Sequence, residues 1–227
     1  MARPLAFDRD HALESAMHLF WRQGYNTTSL PQLLSAMGIS RSSLYPVFGD
    51  KRQLFIETLN LFSKRNNAIL EDAYDDNNPL EAVRTFFIKT VKQNTKTRLS
   101  RGCMMINSIL ELADVDPELN KHATRCLAKT EKYFKHCFNQ AQKLDQLDAS
   151  YSPEHLAKMI MNLNQGLNVS SRKNSSREEM TRIVDTTLKL LGINEWNGIG
   201  REFKDEQPIK AKPDKSFALI FLRHTFI

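Results

Sequence analysis

Apolar residues recur along most of the chain at the three- and four-residue spacing of amphipathic helices, and no stretch keeps the strict alternation of a strand. The first helix is expected from Asp8, its N-cap, to about Arg22. Its apolar positions are Leu13, Ala16, Met17 and Phe20. A second helix is expected over the sequence SLPQLLSAMG, where Ser29 and Gln32 form a capping box and Gly38 ends the helix.

The same helical pattern continues to about residue 191. Ser40 caps a short third helix, RSSLYPVF, and Asp50 caps a fourth that runs from Lys51 to about Ala73. Five more helices are expected over about 79–96, 103–113, a long segment ending near 144, 153–170 and 176–191. The pattern therefore predicts an all-α protein of about nine helices.

The last part of the chain, 197–227, has a different pattern. It contains Pro208, Pro213, six basic against four acidic residues, and the short apolar run FALIFL. Six apolar residues are too few to span a membrane. We therefore expect a C-terminal appendage, to which the sequence assigns no role.

Net charge, the lack of targeting signals and the lack of catalytic motifs limit the classes of function to be considered. The net charge is +6 and the pI near 9.2, which favours a polyanionic partner, because lysine and arginine release counterions when they neutralise phosphates. The chain shows neither an export signal nor a membrane-spanning run, so a cytoplasmic protein with reduced thiols at Cys103, Cys126 and Cys137 is expected. The common catalytic motifs are missing, which argues against an enzyme and leaves a helical thiol enzyme as a weak alternative.

Residues 29–48 have the layout of a helix-turn-helix, in which two short helices meet at a steep angle and the second enters the major groove. The apolar residues of this segment pack inward, and the residues left outside are Arg41, Ser42, Ser43 and Tyr45. These side chains can bond base edges or phosphates. Lys51 begins the next helix, where the helix dipole already favours an anion, although capping and simple solvation explain the polar residues of this region equally well.

The segment FWRQGYNTTSLPQLLSAMGISRSSLYPVFGDKRQLF closely resembles the DNA-binding head of the TetR/AcrR family of bacterial repressors. The resemblance implies that Thr28, Tyr45 and Lys51 contact phosphates. It also implies that Arg41, Ser42 and Ser43 meet bases. Pro46 departs from the family pattern, which often has a large polar or aromatic residue there, so Pro46 receives no role and is expected to shorten the recognition helix or remove a contact.

The resemblance also implies a domain organisation: a helix-turn-helix domain over 1–55, an effector-binding and dimerisation domain over 56–196, and the appendage over 197–227. It implies a homodimer formed through 153–170 and 176–192, bound to a palindromic operator of double-stranded DNA and released by a small-molecule effector. The apolar stripes of these two helices are equally compatible with packing inside one subunit. A DNA-binding activator is the alternative within the same class.

The segment RGCMMINSILELADVDPEL resembles a subset of the family with a Gly-Cys start to the sixth helix, similar to the N-ethylmaleimide-reductase repressor. A thiol at a helix N-terminus beside Arg101 would have its thiolate favoured, so Cys103 is a candidate sensor of electrophiles or oxidants. The alternative is that Cys103 is a small apolar residue lining the effector cavity. The residues assigned to that pocket or sensor are Cys103, Met104, Asn107 and Asn164. No cofactor is predicted, and no metal, because the pair His122 and Cys126 lacks further ligands.

Overall fold

A computed structural model describes residues 7–96, 101–173 and 175–193 of the chain. These residues form nine α-helices and no strand, as the periodicity predicts. The helices are α1 (Arg9–Gln23), α2 (Leu30–Met37), α3 (Arg41–Phe48), α4 (Lys51–Ala73), α5 (Pro79–Lys96), α6 (Met104–Leu112), α7 (Pro117–Lys143), α8 (Pro153–Arg172) and α9 (Arg177–Leu190). The bounds agree with the predicted ones to within one or two residues.

Polar caps explain these helix starts. The Asp8 carboxylate accepts the backbone N–H groups of Asp10 and His11, and Ser29 forms the predicted capping box with Gln32. The Asp50 side chain accepts the Gln53 backbone N–H at the start of α4. Each cap satisfies backbone donors that have no partner inside the helix.

Pro46 does not shorten α3. The helix continues through Pro46 to Phe48, and the Gly49 N–H donates to the Tyr45 carbonyl at its end. Proline removes one backbone donor, so the Ser42 carbonyl lacks the N–H that would otherwise bond it from four residues along.

The fourth helix packs against the N-terminal helices near its start and against the larger C-terminal group of helices, α5–α9, near its end. Near its start, the Phe55 ring lies 4.9 Å from that of Phe20, in a cluster that packs α1 against α4. Near its end, the Leu70 carbonyl accepts a hydrogen bond from the Tyr133 hydroxyl at 2.5 Å. The boundary between 55 and 56 therefore falls inside a continuous helix, and the described residues through 193 belong to one compact unit.

Aromatic packing fills the core of the larger part. The rings of Phe86 and Phe134 meet edge to face at 5.1 Å, and both are fully buried with Phe87 and Phe138. These residues fasten α5 to α7. The second unit, Glu195–Ile227, contains the predicted appendage and lies outside the described residues.

Candidate nucleic-acid interface

The third helix has one packed side and one polar side. Leu44 and Phe48 are buried and hold the helix against its neighbours. The polar side consists of the four predicted residues, of which three are exposed and Ser43 is partly buried: Arg41, Ser42, Ser43 and Tyr45. The short helix thus presents a guanidinium, hydroxyls and a phenol outward, which are groups that bond bases and phosphates.

The serine hydroxyls of this helix bond one another. The Ser40 Oγ lies 2.8 Å from the Ser42 Oγ and 2.9 Å from the Ser43 Oγ, and it also accepts the Ser43 backbone N–H. Ser40 was predicted only as a cap. The Ser42 and Ser43 hydroxyls each keep further hydrogen-bonding capacity, so a base can bond them beside their contact with Ser40 or in its place.

Lys51 stands over an aromatic ring. Its Nζ lies 4.4 Å from the centroid of the Tyr25 ring, a cation–π contact that holds the ammonium beside the helix-turn-helix. Burial lowers the pKa of Lys51, and the nearby charge of Glu111 opposes that effect. A phosphate at this position would favour the charged lysine further.

Thr28 was predicted to contact a phosphate, and the structure does not support that role for its side chain. Its side chain is fully buried, and its hydroxyl donates to the Gly24 carbonyl at 2.6 Å. A hydroxyl closed off from solvent is not available to a phosphate, so Thr28 stabilises the turn between α1 and α2. The sequence contains no signal for this burial, because Thr27 beside it has the same side chain and is exposed.

A carboxylate of α6 holds the start of the helix-turn-helix. The two oxygens of Glu111 accept the backbone N–H groups of Tyr25 at 3.0 Å and Asn26 at 2.8 Å. A β-carbon added at Gly24, whose φ is +89°, would lie 2.6 Å from the same carboxylate. We call this contact the Glu111 clamp. Sequence reasoning missed it, since the partners are more than eighty positions apart.

Two further contacts join the head to the ends of α6. The Trp21 indole N–H donates to the Gly102 carbonyl at 3.0 Å, just before α6 begins. Arg52 pairs with Asp116 at 3.0 Å, just after α6 ends. Gly102 has φ +64°, and a β-carbon there would lie 3.1 Å from the Asn168 carbonyl oxygen, which gives the glycine of the RGC sequence a structural reason. A shift of α6 would thus act on the head at three points.

The predicted effector residues line two separate cavities. Cys103 and Asn164 line a narrow cavity of about 30 Å³ together with Trp21 and Phe62. Met104 and Asn107 line another, of about 130 Å³, beside Arg22 and Glu111. The four residues assigned to the effector pocket or sensor therefore divide between two neighbouring cavities.

Cys103 does not have the environment of a reactive thiol. It occupies the N-cap position of α6, as predicted, but it is buried, and burial raises the pKa of its thiol to about 11. The backbone N–H groups of Ile106 and Met105 lower that pKa by a smaller amount. The structure argues against the favoured thiolate expected beside Arg101, since loss of solvation exceeds the effect of the helix N-terminus.

The apolar stripes of α8 and α9 divide between the core and the surface. One part is buried in the subunit: Leu156, Ile160 and Leu167 on α8, and Met180, Val184 and Leu188 on α9. The other part is exposed: Met159 and Val169 on α8, and Ile183 and Leu190 on α9. A β-carbon built at Gly166, on the exposed side of α8, meets no atom within 4 Å. Both helices thus keep an apolar face that their own subunit leaves open.

Among the residues that the structure describes, no group of three or more His, Cys, Asp or Glu side chains could hold a metal ion. The His122 imidazole bonds the Asn60 side chain at 2.9 Å. No helix in that part of the chain is long and apolar enough to cross a membrane.

A helix-turn-helix head fused to a helical body defines the class of DNA-binding transcriptional regulators. Residues 12–58 match the family described as "Bacterial regulatory proteins, tetR family", and 79–187 match "Tetracyclin repressor-like, C-terminal domain". The chain belongs to the TetR family of transcriptional regulators.

Individual relatives agree with this assignment. The transcriptional repressor ComR of Escherichia coli is 30% identical over 190 residues, which cover 83% of this chain and 90% of ComR. The uncharacterised regulator YezE of Bacillus subtilis is 30% identical over 195 residues, 84% of this chain and all of YezE. Among solved structures, a cysteine mutant of the TetR family regulator CifR, complexed with 26-base-pair double-strand operator DNA, has a TM-score of 0.70 at 29% identity and covers 84% of this chain and 100% of CifR.

Proposed function

We propose that this TetR-family regulator is a homodimeric repressor that binds a palindromic operator through α3 and leaves it when a small molecule binds the helical body. The observation that carries the proposal is the two-sided third helix, whose apolar side is packed while its guanidinium, hydroxyls and phenol face outward. The complex of CifR with operator DNA supports it, since CifR shares this fold over 84% of the chain.

Each exposed side chain receives a role from its chemistry. Arg41 donates two hydrogen bonds to a guanine edge, while Ser42 and Ser43 bond neighbouring bases. Tyr45 and Lys51 bond phosphates on the flanking backbone. Phosphate contacts bind any sequence, whereas the contacts of Arg41 give preference among sequences.

The open faces of α8 and α9 support the dimer. Two chains that pair these faces form a four-helix bundle and present two heads to two half-sites. The bare surface at Gly166 lets a partner helix approach closely. Because such a regulator acts on DNA, we place it in the cytoplasm.

Two alternatives are less well supported. A signal through thiol modification needs a reactive Cys103, and the raised pKa of that thiol argues against it. An activator has the same head, and a reporter gene distinguishes the two roles. A repressor lowers expression from a promoter that carries the selected operator, and an activator raises it.

The test begins with selection of bound duplexes from a random library, followed by binding measurements on the best sequence at several salt concentrations. We expect Tyr45→Phe and Lys51→Gln to weaken binding to every duplex, with the Lys51 change lowering the salt slope by about 1. Arg41→Gln should cost about 1–3 kcal/mol at one base pair and leave nonspecific binding nearly intact. Lys132→Gln, an exposed change on α7, is the control.

One result would overturn the proposal. If the purified protein prefers no duplex over random competitor at low salt, with or without candidate ligands, α3 does not read DNA.

A further inference from the structure

A groove of about 290 Å³ lies between α1 and α4, and it differs from the two small cavities described above. Its apolar lining comes from Met17, Trp21, Phe62 and Ile69. The rings of Trp21 and Phe62 meet edge to face with centroids 5.1 Å apart. A flat apolar group can therefore contact two aromatic side chains at once.

Basic side chains surround this aromatic wall. His18 and Arg65 line the groove, and the guanidinium carbon of Arg101 lies 5.6 Å from the centroid of the Trp21 ring. Glu14 is the acidic partner here: it bonds Arg65 at 2.7 Å and lies 3.6 Å from the His18 imidazole. Glu14 therefore balances the charge of Arg65, while Arg101 contributes a further positive charge beside Trp21.

Arg101 has unused hydrogen-bonding capacity. Its Nε is buried and finds no hydrogen-bond partner among the described residues. A buried guanidinium N–H without an acceptor costs free energy, so a rotation of the Arg101 side chain that brings its N–H groups onto an anion would relieve that cost. Carboxylates suit guanidinium groups because two parallel N–H···O bonds can form.

The groove also adjoins the predicted effector site. The narrow cavity lined by Cys103 and Asn164 shares Trp21, Phe62 and Asn66 with the groove. A molecule in the groove therefore touches side chains that also form the wall of the inner cavity.

We propose that this groove binds a small aromatic carboxylate, with its ring against Trp21 and Phe62 and its carboxylate toward Arg65 and Arg101. The volume lies near the lower end of small-molecule sites, about 300–1,000 Å³, which suits one or two fused rings. Arg101 carries a positive charge that Glu14 does not balance, which disfavours a cation and gives an acid an advantage over its neutral amide.

The occupied groove would act on the head through Trp21. This residue belongs to α1, and its indole N–H bonds the Gly102 carbonyl at the start of α6. A ring packed against Trp21 competes with that geometry and so biases the contact between head and body. This consequence rests on the proposed repressor function, whereas the binding itself does not.

The binding test uses the full chain with ¹⁵N-labelled tryptophan and the change Trp196→Phe, which leaves Trp21 as its one indole. The probes are naphthylacetate and its neutral amide, naphthylacetamide. We expect the acid to shift the Trp21 indole N–H resonance and to bind about tenfold or more tightly than the amide. Equal binding of the two probes, or a Trp21 resonance that does not move at millimolar acid, overturns the proposal.

Charge variants supply the second arm. Arg101→Gln and Arg65→Gln should each weaken binding of the acid about tenfold while leaving the amide unchanged. Arg125→Gln removes an exposed arginine of α7 and should change neither affinity. Arg65 also bonds Glu14, and its loss could impair folding. If the Arg65 variant folds poorly, the Arg101 variant gives the deciding result. Loss of amide binding in the Arg101 variant, or an equal loss of acid binding in the Arg125 variant, contradicts the assigned role.

Operator binding is measured separately, with the selected duplex and the same acid. A chain that binds the acid but no duplex would refute the repressor function and leave the groove assignment standing. A chain that binds both, with operator affinity unaffected by the acid, would refute the link through Trp21 alone.

Discussion

The Glu111 clamp gives a sharp test of how the body holds the DNA-binding head. Glutamine at position 111 keeps the shape of the side chain but has one acceptor oxygen, so it can satisfy either the Tyr25 or the Asn26 backbone N–H and turns its own N–H₂ toward the other. A hydrogen bond to a charged group contributes about 1.5–3 kcal/mol. We therefore expect Glu111→Gln to lower the free energy of unfolding by about that amount.

Urea unfolding at fixed protein concentration measures this loss, since the stability of a dimer depends on concentration. The control is Glu71→Gln, an exposed glutamate on α4, for which a change within about 0.5 kcal/mol is expected. Operator affinity should respond to the Glu111 change as well, because the Tyr25 ring that the clamp holds also contacts the Lys51 ammonium.

A double-mutant cycle tests the physical cause. Gly24→Ala places a methyl group 2.6 Å from the Glu111 carboxylate in a backbone conformation with positive φ, so it disrupts the same contact from the other side. We expect the two changes together to cost clearly less than the sum of their separate costs. Strict additivity, or a Glu111→Gln variant as stable as the parent, would refute the clamp.

Three further predictions concern the dimer, the head–body junction and the thiol. Gly166→Leu adds a side chain that meets nothing in its own subunit and stands where a partner helix would approach. Sedimentation should therefore show weaker dimers of folded chains, with a smaller effect for Gly166→Ala. Undiminished dimer affinity would show that this face of α8 is not the dimer interface. Asp116→Ala removes the α7 cap and the Arg52 pair, at a cost of about 0.5–2 kcal/mol in urea unfolding. The Leu119 N–H and Arg52 hold the pKa of Asp116 below its ordinary value of 3.8. The contribution of Asp116 to the free energy of unfolding is therefore present above that pH and is lost as pH falls through the pKa of the folded state. A stability difference between the variant and the parent that acid leaves unchanged would contradict this explanation. A pKa of about 11 for the Cys103 thiol, instead of 9.0, predicts about a hundredfold less thiolate in the folded chain. Mass spectrometry should therefore find that maleimide labels Cys103 at least about a hundredfold more slowly in the folded than in the urea-unfolded chain. Equal labelling rates would restore the sensor hypothesis.

The sequence by itself determined the helices and the polar side of α3. Caps such as Ser29 and Asp50 bond backbone groups within three positions, and apolar spacing marks the buried side of each helix, so both signals are local. The recognition helix could be read for the same reason: once Leu44 and Phe48 face inward, the helical period turns Arg41 and Tyr45 outward.

Only the tertiary structure decided which polar groups are free and which apolar residues stay exposed. The burial of Thr28 and Cys103, the separation of Cys103 from Met104 into different cavities, and the Glu111 clamp all depend on segments far apart in the chain. Desolvation and long-range hydrogen bonds arise from the packing of such segments, and helical periodicity does not indicate which segments come into contact.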